Sequence, residues 1–183
     1  MAVDLAVLDS CVIYPVYLRD TLLRAVEVGL YDVYWSQEIL DGATRNLVKN
    51  GVITDLQAVR LQAMMNLNFP EAMVEVPDEL VQVMTNHPGD RHVAAAALVA
   101  NAKVIVTFNL KHFPAESLTP WGISAMHPDL FLTNLYEKFP DNMAKVIRQQ
   151  SQDLRKPPLT VPELLDRLTQ QVPEFVNKVR QHF

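Results

Sequence analysis

Apolar and polar positions along this chain switch between two periods. "VDLAVLD", residues 3 to 9, is a mostly apolar run that stops at Asp9. It predicts a short strand of the buried, parallel kind. Leu18, Leu22, Ala25 and Val26 then recur at helical spacing, with Gly29 as a stop. "YDVYWS" (31–36) predicts a second strand. Ser36 is placed to cap the next helix, whose inner face carries Ile39, Leu40, Ala43, Leu47 and Val48. A further helix is expected from Thr54 to Phe69, with Leu56, Val59, Leu61, Met64 and Met65 as its apolar positions. "MVEV" (73–76) reads as a strand and "DELVQVMTN" (78–86) as a short helix. In "HPGDRHVAAAALVA" a helix opens at Asp90 and runs through small apolar residues. "KVIVTF" (103–108) and "GISAM" (122–126) complete the strands, the last as an edge.

Strands alternating with helices predict a three-layer α/β/α domain around a parallel sheet. Beyond Pro128 the pattern is helical throughout. Asp129 is expected to cap a helix ending at Phe139, and a second helix spans Asp141 to about Arg155, where Pro157 and Pro158 stop it. Thr160 and Glu163 have capping-box spacing, and Pro173 restarts a final helix. The expected division is a sheet domain over residues 1–132 and an all-helical appendage over 133–183.

Composition narrows the function. The chain has 183 residues, 49% hydrophobic and 20% charged, enough for a packed core. No apolar run approaches the roughly 20 residues of a membrane span. "MAVDLAVLDS" lacks the basic start of a signal peptide. One cysteine, Cys11, excludes an internal disulfide framework and suits a reducing cytoplasm. The net charge is -5; residues 1–133 carry eight Lys/Arg against fifteen Asp/Glu, and the remainder is slightly basic. An electrostatic nucleic-acid binder is usually basic. An acidic body can still act on RNA where its acids are gathered to hold metal ions.

No G-x-G-x-x-G follows the first strand, and neither a Walker A lysine motif nor a G-x-S-x-G elbow occurs. Cys11 reads as a small buried hydrophobe rather than a nucleophile. Histidines 87, 92, 112, 127 and 182 form no tight zinc pattern and read as turn or surface residues. The carboxylates say more, because ligands of parallel α/β sheets gather at the carboxyl ends of the strands. Asp9, Thr107 and Asn109 stand at such ends, Asp90 opens a helix nearby, and Glu38 and Asp41 lie in the first turns after the second strand. Singly, Asp90 is an ordinary helix cap and Glu38 and Asp41 are ordinary first-turn acids. Asp9 ends an apolar strand, where no capping role is evident. Together they make a donor set for a hard dication such as Mg²⁺ or Mn²⁺.

"AVLDSCVIYP", "YWSQEILDGATRNL", "HPGDRHVAAAA" and "VIVTFNLKHFP" resemble, in order, the motifs of PIN-domain nucleases, above all the VapC-like ribonuclease toxins. The resemblance covers residues 3 to about 132, and the tail resembles the helical C-terminal region of one branch. It implies a cytoplasmic Mg²⁺- or Mn²⁺-dependent endoribonuclease with Asp9 and Asp90 as metal ligands, Asn109 as the polar fourth position, and Thr107 beside it. Many relatives carry a glutamate where this chain has Gly42, so Glu38 or Asp41 would complete the acidic set. Cys11 and His112 are two further departures. Arg91, Lys111, His112 and Arg45 would meet RNA, with Arg19 a weaker candidate. A small antitoxin is the implied partner, and homodimers are common among resembling proteins. Two alternatives are a catalytically inert PIN-like protein-binding module and a DNA or flap nuclease.

Overall fold

The computed structural model describes residues 4–183. Val3, where the first strand was expected to begin, lies outside the described residues. The strands are β1 (Asp4–Leu8), β2 (Tyr31–Tyr34), β3 (Val104–Val106) and β4 (Ser124–Met126). Every pair is parallel, in the order β2-β1-β3-β4. The helices of the sheet region are α1 (Ser10–Ile13), α2 (Val16–Glu27), α3 (Gln37–Lys49), α4 (Asp55–Asn68), α5 (Asp78–Val83), α6 (Arg91–Val99) and α7 (Ala115–Leu118). The tail adds α8 (Pro128–Lys138), α9 (Pro140–Asp153), α10 (Val161–Leu168) and α11 (Pro173–Arg180). The expected α/β architecture with a parallel sheet and a C-terminal helical region is the one observed.

The strand order places β1 at the centre, with β2 on one side and β3 on the other. The chain therefore reverses its direction of travel across the sheet between β1 and β3, the place where such sheets open a crevice. Leu8 pairs with Val106, so the next residues, Asp9 and Thr107, sit side by side on one rim. Ala6, Val7, Leu8, Ile105 and Val106 have no exposed surface, as strands covered on both faces require. Val93 and Ala94 to Ala97 are equally buried, and their small side chains let α6 lie close to the sheet. Gly29 ends α2 with a positive φ of 75°, which a residue with a Cβ adopts only under strain.

Several local expectations change. "MVEV" forms no strand: one bridge pairs Met73 with Trp35, just past the end of β2. Pro70 and Pro77 bracket that segment and remove two donors that a ladder would use. Helix α4 buries only Met65, with Leu61 partly covered, while Leu56, Val59, Met64 and Leu67 face outward. Its apolar residues fall on two sides of the helix rather than in one stripe.

Asp129 does not cap α8. His127 does so, its Nδ1 accepting from the Asp129 N–H at 3.2 Å. The Asp129 carboxylate reaches instead to α11 and accepts from the N–H groups of Glu174 (3.1 Å) and Phe175 (2.8 Å). Thr160 and Glu163 do form the expected capping box.

The boundary expected at 132/133 lies within α8, and one hydrophobic cluster runs from the sheet into the tail. Phe131 meets the buried Tyr31 edge-on at 4.9 Å between ring centroids. Gln150 of α9, fully buried, accepts from the Thr21 hydroxyl of α2 at 2.7 Å and donates to the Tyr17 carbonyl at 3.0 Å. Among the described residues, no helix is long and apolar enough to cross a membrane.

Candidate active site

Asp9 is 2% exposed and belongs to a closed set of partners. It does have a capping role, contrary to expectation, because a one-turn helix, α1, starts immediately after β1. Asp9 Oδ1 accepts from the Ser10 N–H at 2.7 Å. Oδ2 accepts from the Thr107 hydroxyl at 2.7 Å, across from β1 to the end of β3. The same hydroxyl accepts from the Asn109 N–H at 3.0 Å. Thr107 thus fixes both the carboxylate and the start of the loop that carries Asn109.

The carboxylate opens into a concavity of about 350 Å³ lined by Asp9, Ser10, Cys11, Tyr14, Asn46, Asn50, Asp90 and Asn109. Asp9, Asp90 and Asn109 are thus brought together by the fold. Asp90 reaches the site at the end of a 3₁₀ turn, Pro88–Asp90, and occupies the N-cap position of α6. Its side chain makes no capping bond. The carboxylate turns to His112, with Oδ2 2.6 Å from Nδ1.

Glu38 and Asp41 are placed elsewhere. Asp41 accepts from the side-chain amides of Gln37 (2.8 Å) and Gln62 (3.0 Å) and lines a groove between α3 and α4. Arg45 lines that groove as well. Glu38 is exposed, lines a cleft with Met73 to Val76, and lies 3.8 Å from His92 Nδ1. Lys111 is exposed on the 3₁₀ turn Leu110–His112. Arg91 donates from Nε to the Asn86 carbonyl at 3.2 Å. Arg19 is committed to the end of α1, donating to the Ile13 carbonyl at 2.7 Å.

Ser10, Tyr14, Asn46 and Asn50 were missed by sequence reasoning. Asn46 and Asn50 follow Gly42 at steps of four, the spacing that puts residues on one helix face. Gly42 itself packs against α1: a Cβ built there would lie 3.0 Å from Ser10 Oγ. The position is therefore a close helix contact, and the same face presents amides to the concavity where an acid was sought. Asn50 also donates to the Tyr14 hydroxyl at 3.0 Å.

Cys11 stays a thiol. Burial first, and then the charge of Asp9, push its pKa up to about 12. Its Sγ donates to Asp9 Oδ2 at 3.4 Å and accepts from the Phe108 N–H at 3.4 Å. A group so protonated is a poor nucleophile at neutral pH.

Residues 128–181 match the family described as the VapC50 C-terminal domain. The chain is 44% identical over 106 residues to "Putative ribonuclease VapC50" of Mycobacterium tuberculosis (strain ATCC 25618 / H37Rv). That similarity spans 58% of this chain and 63% of the relative's length. The chain is thus similar to that relative over part of its length and to the VapC50 C-terminal domain over its helical tail, and it spans less than two thirds of the relative it matches.

Proposed function

We propose that the chain is a Mg²⁺- or Mn²⁺-dependent endoribonuclease, the toxin of a toxin–antitoxin pair. The observation that carries this reading is the meeting of Asp9, Asp90 and Asn109 in one concavity at the carboxyl ends of β1 and β3. The likeness to a protein named as a ribonuclease supports RNA as the substrate.

The donor set fits a hard dication. Such an ion takes one or two direct carboxylates and keeps waters and phosphate oxygens for the rest. Asp9 and Asp90 would hold it, and when bound it supplies an activated water and offsets charge on the phosphodiester. The protein groups do the positioning. Thr107 and Ser10 hold the Asp9 carboxylate from two sides. The amides of Asn46, Asn50 and Asn109 offer donors to phosphate oxygens or ordered waters. Lys111, Arg91 and His112 stand close in sequence to Asp90 and Asn109 and would meet the RNA backbone.

The test is cleavage of structured RNA with Mg²⁺ or Mn²⁺ present. Asp9→Asn and Asp90→Asn should each lower the rate roughly a hundredfold or more, the scale of losing a preorganised electrostatic contact. Asp41→Asn should cleave nearly as fast as the parent, since its carboxylate serves Gln37 and Gln62. Parental rates in the Asp9 and Asp90 variants refute the reading. Duplex DNA in the same assay separates RNA from DNA cleavage.

For the antitoxin, the α3–α4 groove and the outward apolar side chains of α4 support a protein-docking face beside the site. Co-expression with the product of the neighbouring reading frame tests it.

A second reading, the inert binding module, draws support from Gly42, whose contact with Ser10 leaves no acid at that position. Metal-dependent stabilisation without cleavage of RNA or DNA would favour it.

A further inference from the structure

Asp90 stands at the N-cap of α6, where an aspartate ordinarily turns back to accept from the free N–H groups of its own helix. Here it makes no such bond. Among the described residues its carboxylate takes one hydrogen bond, at Oδ2, which lies 2.6 Å from His112 Nδ1. We propose that His112 is a positioning residue of the candidate active site: it holds the Asp90 carboxylate off its own helix and leaves the second oxygen for the metal. The proposal rests on the ribonuclease reading in so far as that reading makes Asp90 a metal ligand.

The two neighbouring histidines have opposite parts. An ionised carboxylate only accepts, so the proton of the Asp90–His112 contact sits on His112 Nδ1. His87 Nδ1 accepts from the Gly89 N–H at 3.2 Å, so that nitrogen carries no proton. It stands 3.8 Å from Asp90 Oδ2, too far for a hydrogen bond. The His87 ring instead lies flat on that of His112, with centroids 4.1 Å apart and planes inclined by 12°. His87 is thus a wall against which the His112 ring is held, and His112 makes the bond to the acid. Its Nε2 is left for the RNA contact proposed above.

The backbone fixes this spacing. The His87 N–H donates to the His112 carbonyl at 3.1 Å, and the Asp90 N–H to the His87 carbonyl at 2.9 Å. The His112 N–H donates to the Asn109 carbonyl at 2.8 Å. The turn that carries Asp90 is therefore tied to the turn that carries His112, and both to the loop of Asn109. Asp9 is handled in a parallel way, through the Thr107 hydroxyl at 2.7 Å. One short segment after β3, from Thr107 to His112, thus supplies a side-chain donor to each of the two acids.

Without that donor Asp90 is free to fall back as an ordinary cap. The fold should then keep its stability while the site loses its ion. The experiment measures Mn²⁺ binding to the full chain by electron paramagnetic resonance, for the parent, His112→Gln and His112→Asn. The asparagine amide nitrogen takes the place of Nδ1, whereas that of glutamine falls nearer the place of Nε2. His112→Gln should weaken Mn²⁺ about 10- to 100-fold, the scale of a lost outer-shell partner, with a thermal midpoint in chelator close to the parent's. His112→Asn should recover most of the affinity. Equal affinity in the parent and the Gln variant, or the same loss in both variants, overturns the proposal. Isotope-labelled histidine NMR of the metal-free parent gives a second readout. It should find Nδ1 protonated in His112 and unprotonated in His87; the opposite assignment overturns the contact. A third arm follows RNA cleavage in Mg²⁺, which should fall and recover in the same order as Mn²⁺ affinity. A parent that binds Mn²⁺ in that order but cleaves nothing sinks the nuclease reading and leaves the positioning role standing. A parent that cleaves, with a Gln variant as fast and as tightly bound, does the reverse.

Discussion

Replacing Thr107 by Val tests the idea that β3 holds the Asp9 carboxylate in place. The two side chains are close in shape, so the change removes little except the hydroxyl. That hydroxyl donates to Asp9 Oδ2 at 2.7 Å and accepts from the Asn109 N–H at 3.0 Å, at a site with no exposed surface. Without it Oδ2 keeps only the Cys11 thiol, a weak donor. A hydrogen bond to a charged group contributes about 1.5–3 kcal/mol, and the orphaned Asn109 N–H adds up to about 1 kcal/mol. The expected loss is about 2–4 kcal/mol. For a chain of this size each kcal/mol moves Tm by about 2–4 °C, so Tm should fall by about 5–15 °C. Urea unfolding and calorimetry read this directly. Thr107→Ser keeps the hydroxyl and should recover most of the loss. The reasoning fails if the Val variant is within about 0.5 kcal/mol of the parent, or if the Ser variant is as unstable as the Val variant.

The remaining predictions concern other parts of the molecule. Cys11 holds its proton in the folded state up to about pH 12, whereas an unperturbed thiol titrates near 9.0. The unfolded chain therefore loses the proton first, and stability should fall as pH rises above 9, at up to about 1.4 kcal/mol per pH unit. Cys11→Ala should flatten that decline between pH 9 and 10, below the range where the buried Tyr31 phenol contributes; identical slopes in urea melts would count against it. Asp129→Ala removes the cap from α11 and should cost about 1–2 kcal/mol, read by thermal melting. Gln150→Ala opens a cavity between α2 and α9 and removes the buried amide's bonds to the Thr21 hydroxyl and the Tyr17 carbonyl, for an expected loss of about 2–4 kcal/mol in urea. Deleting residues 128–183 bares the core that Phe131, Leu132 and Leu135 cover; the product should lose cooperative unfolding, and a two-state melt near the parent's Tm would show that the sheet region stands alone.

Much of the fold was legible because burial and period leave marks in the sequence. A parallel strand is covered on both faces, so β1 reads as an apolar run, and the alanines of α6 record how closely it lies on the sheet. Asp9 and Asn109 could be found because they interrupt or follow such runs. The apolar residues of α4 gave no comparable guide, since they lie on two sides of one helix and only one side meets the core.

What the sequence by itself determined is therefore the class of fold, the helical tail, and the two acids and one amide that meet at the rim. Only the tertiary structure decided the rest. It turned Asp41 to Gln37 and Gln62, sent Asp129 to α11 rather than to its own helix, and used Asp9 as the cap of a single turn that has no period of its own. It also stacked the ring of His87 on that of His112, which meets Asp90. The physical reason is the same in each case. A side chain's polar partner is chosen by direction and distance across the fold, and neither is recorded in the local order of residues.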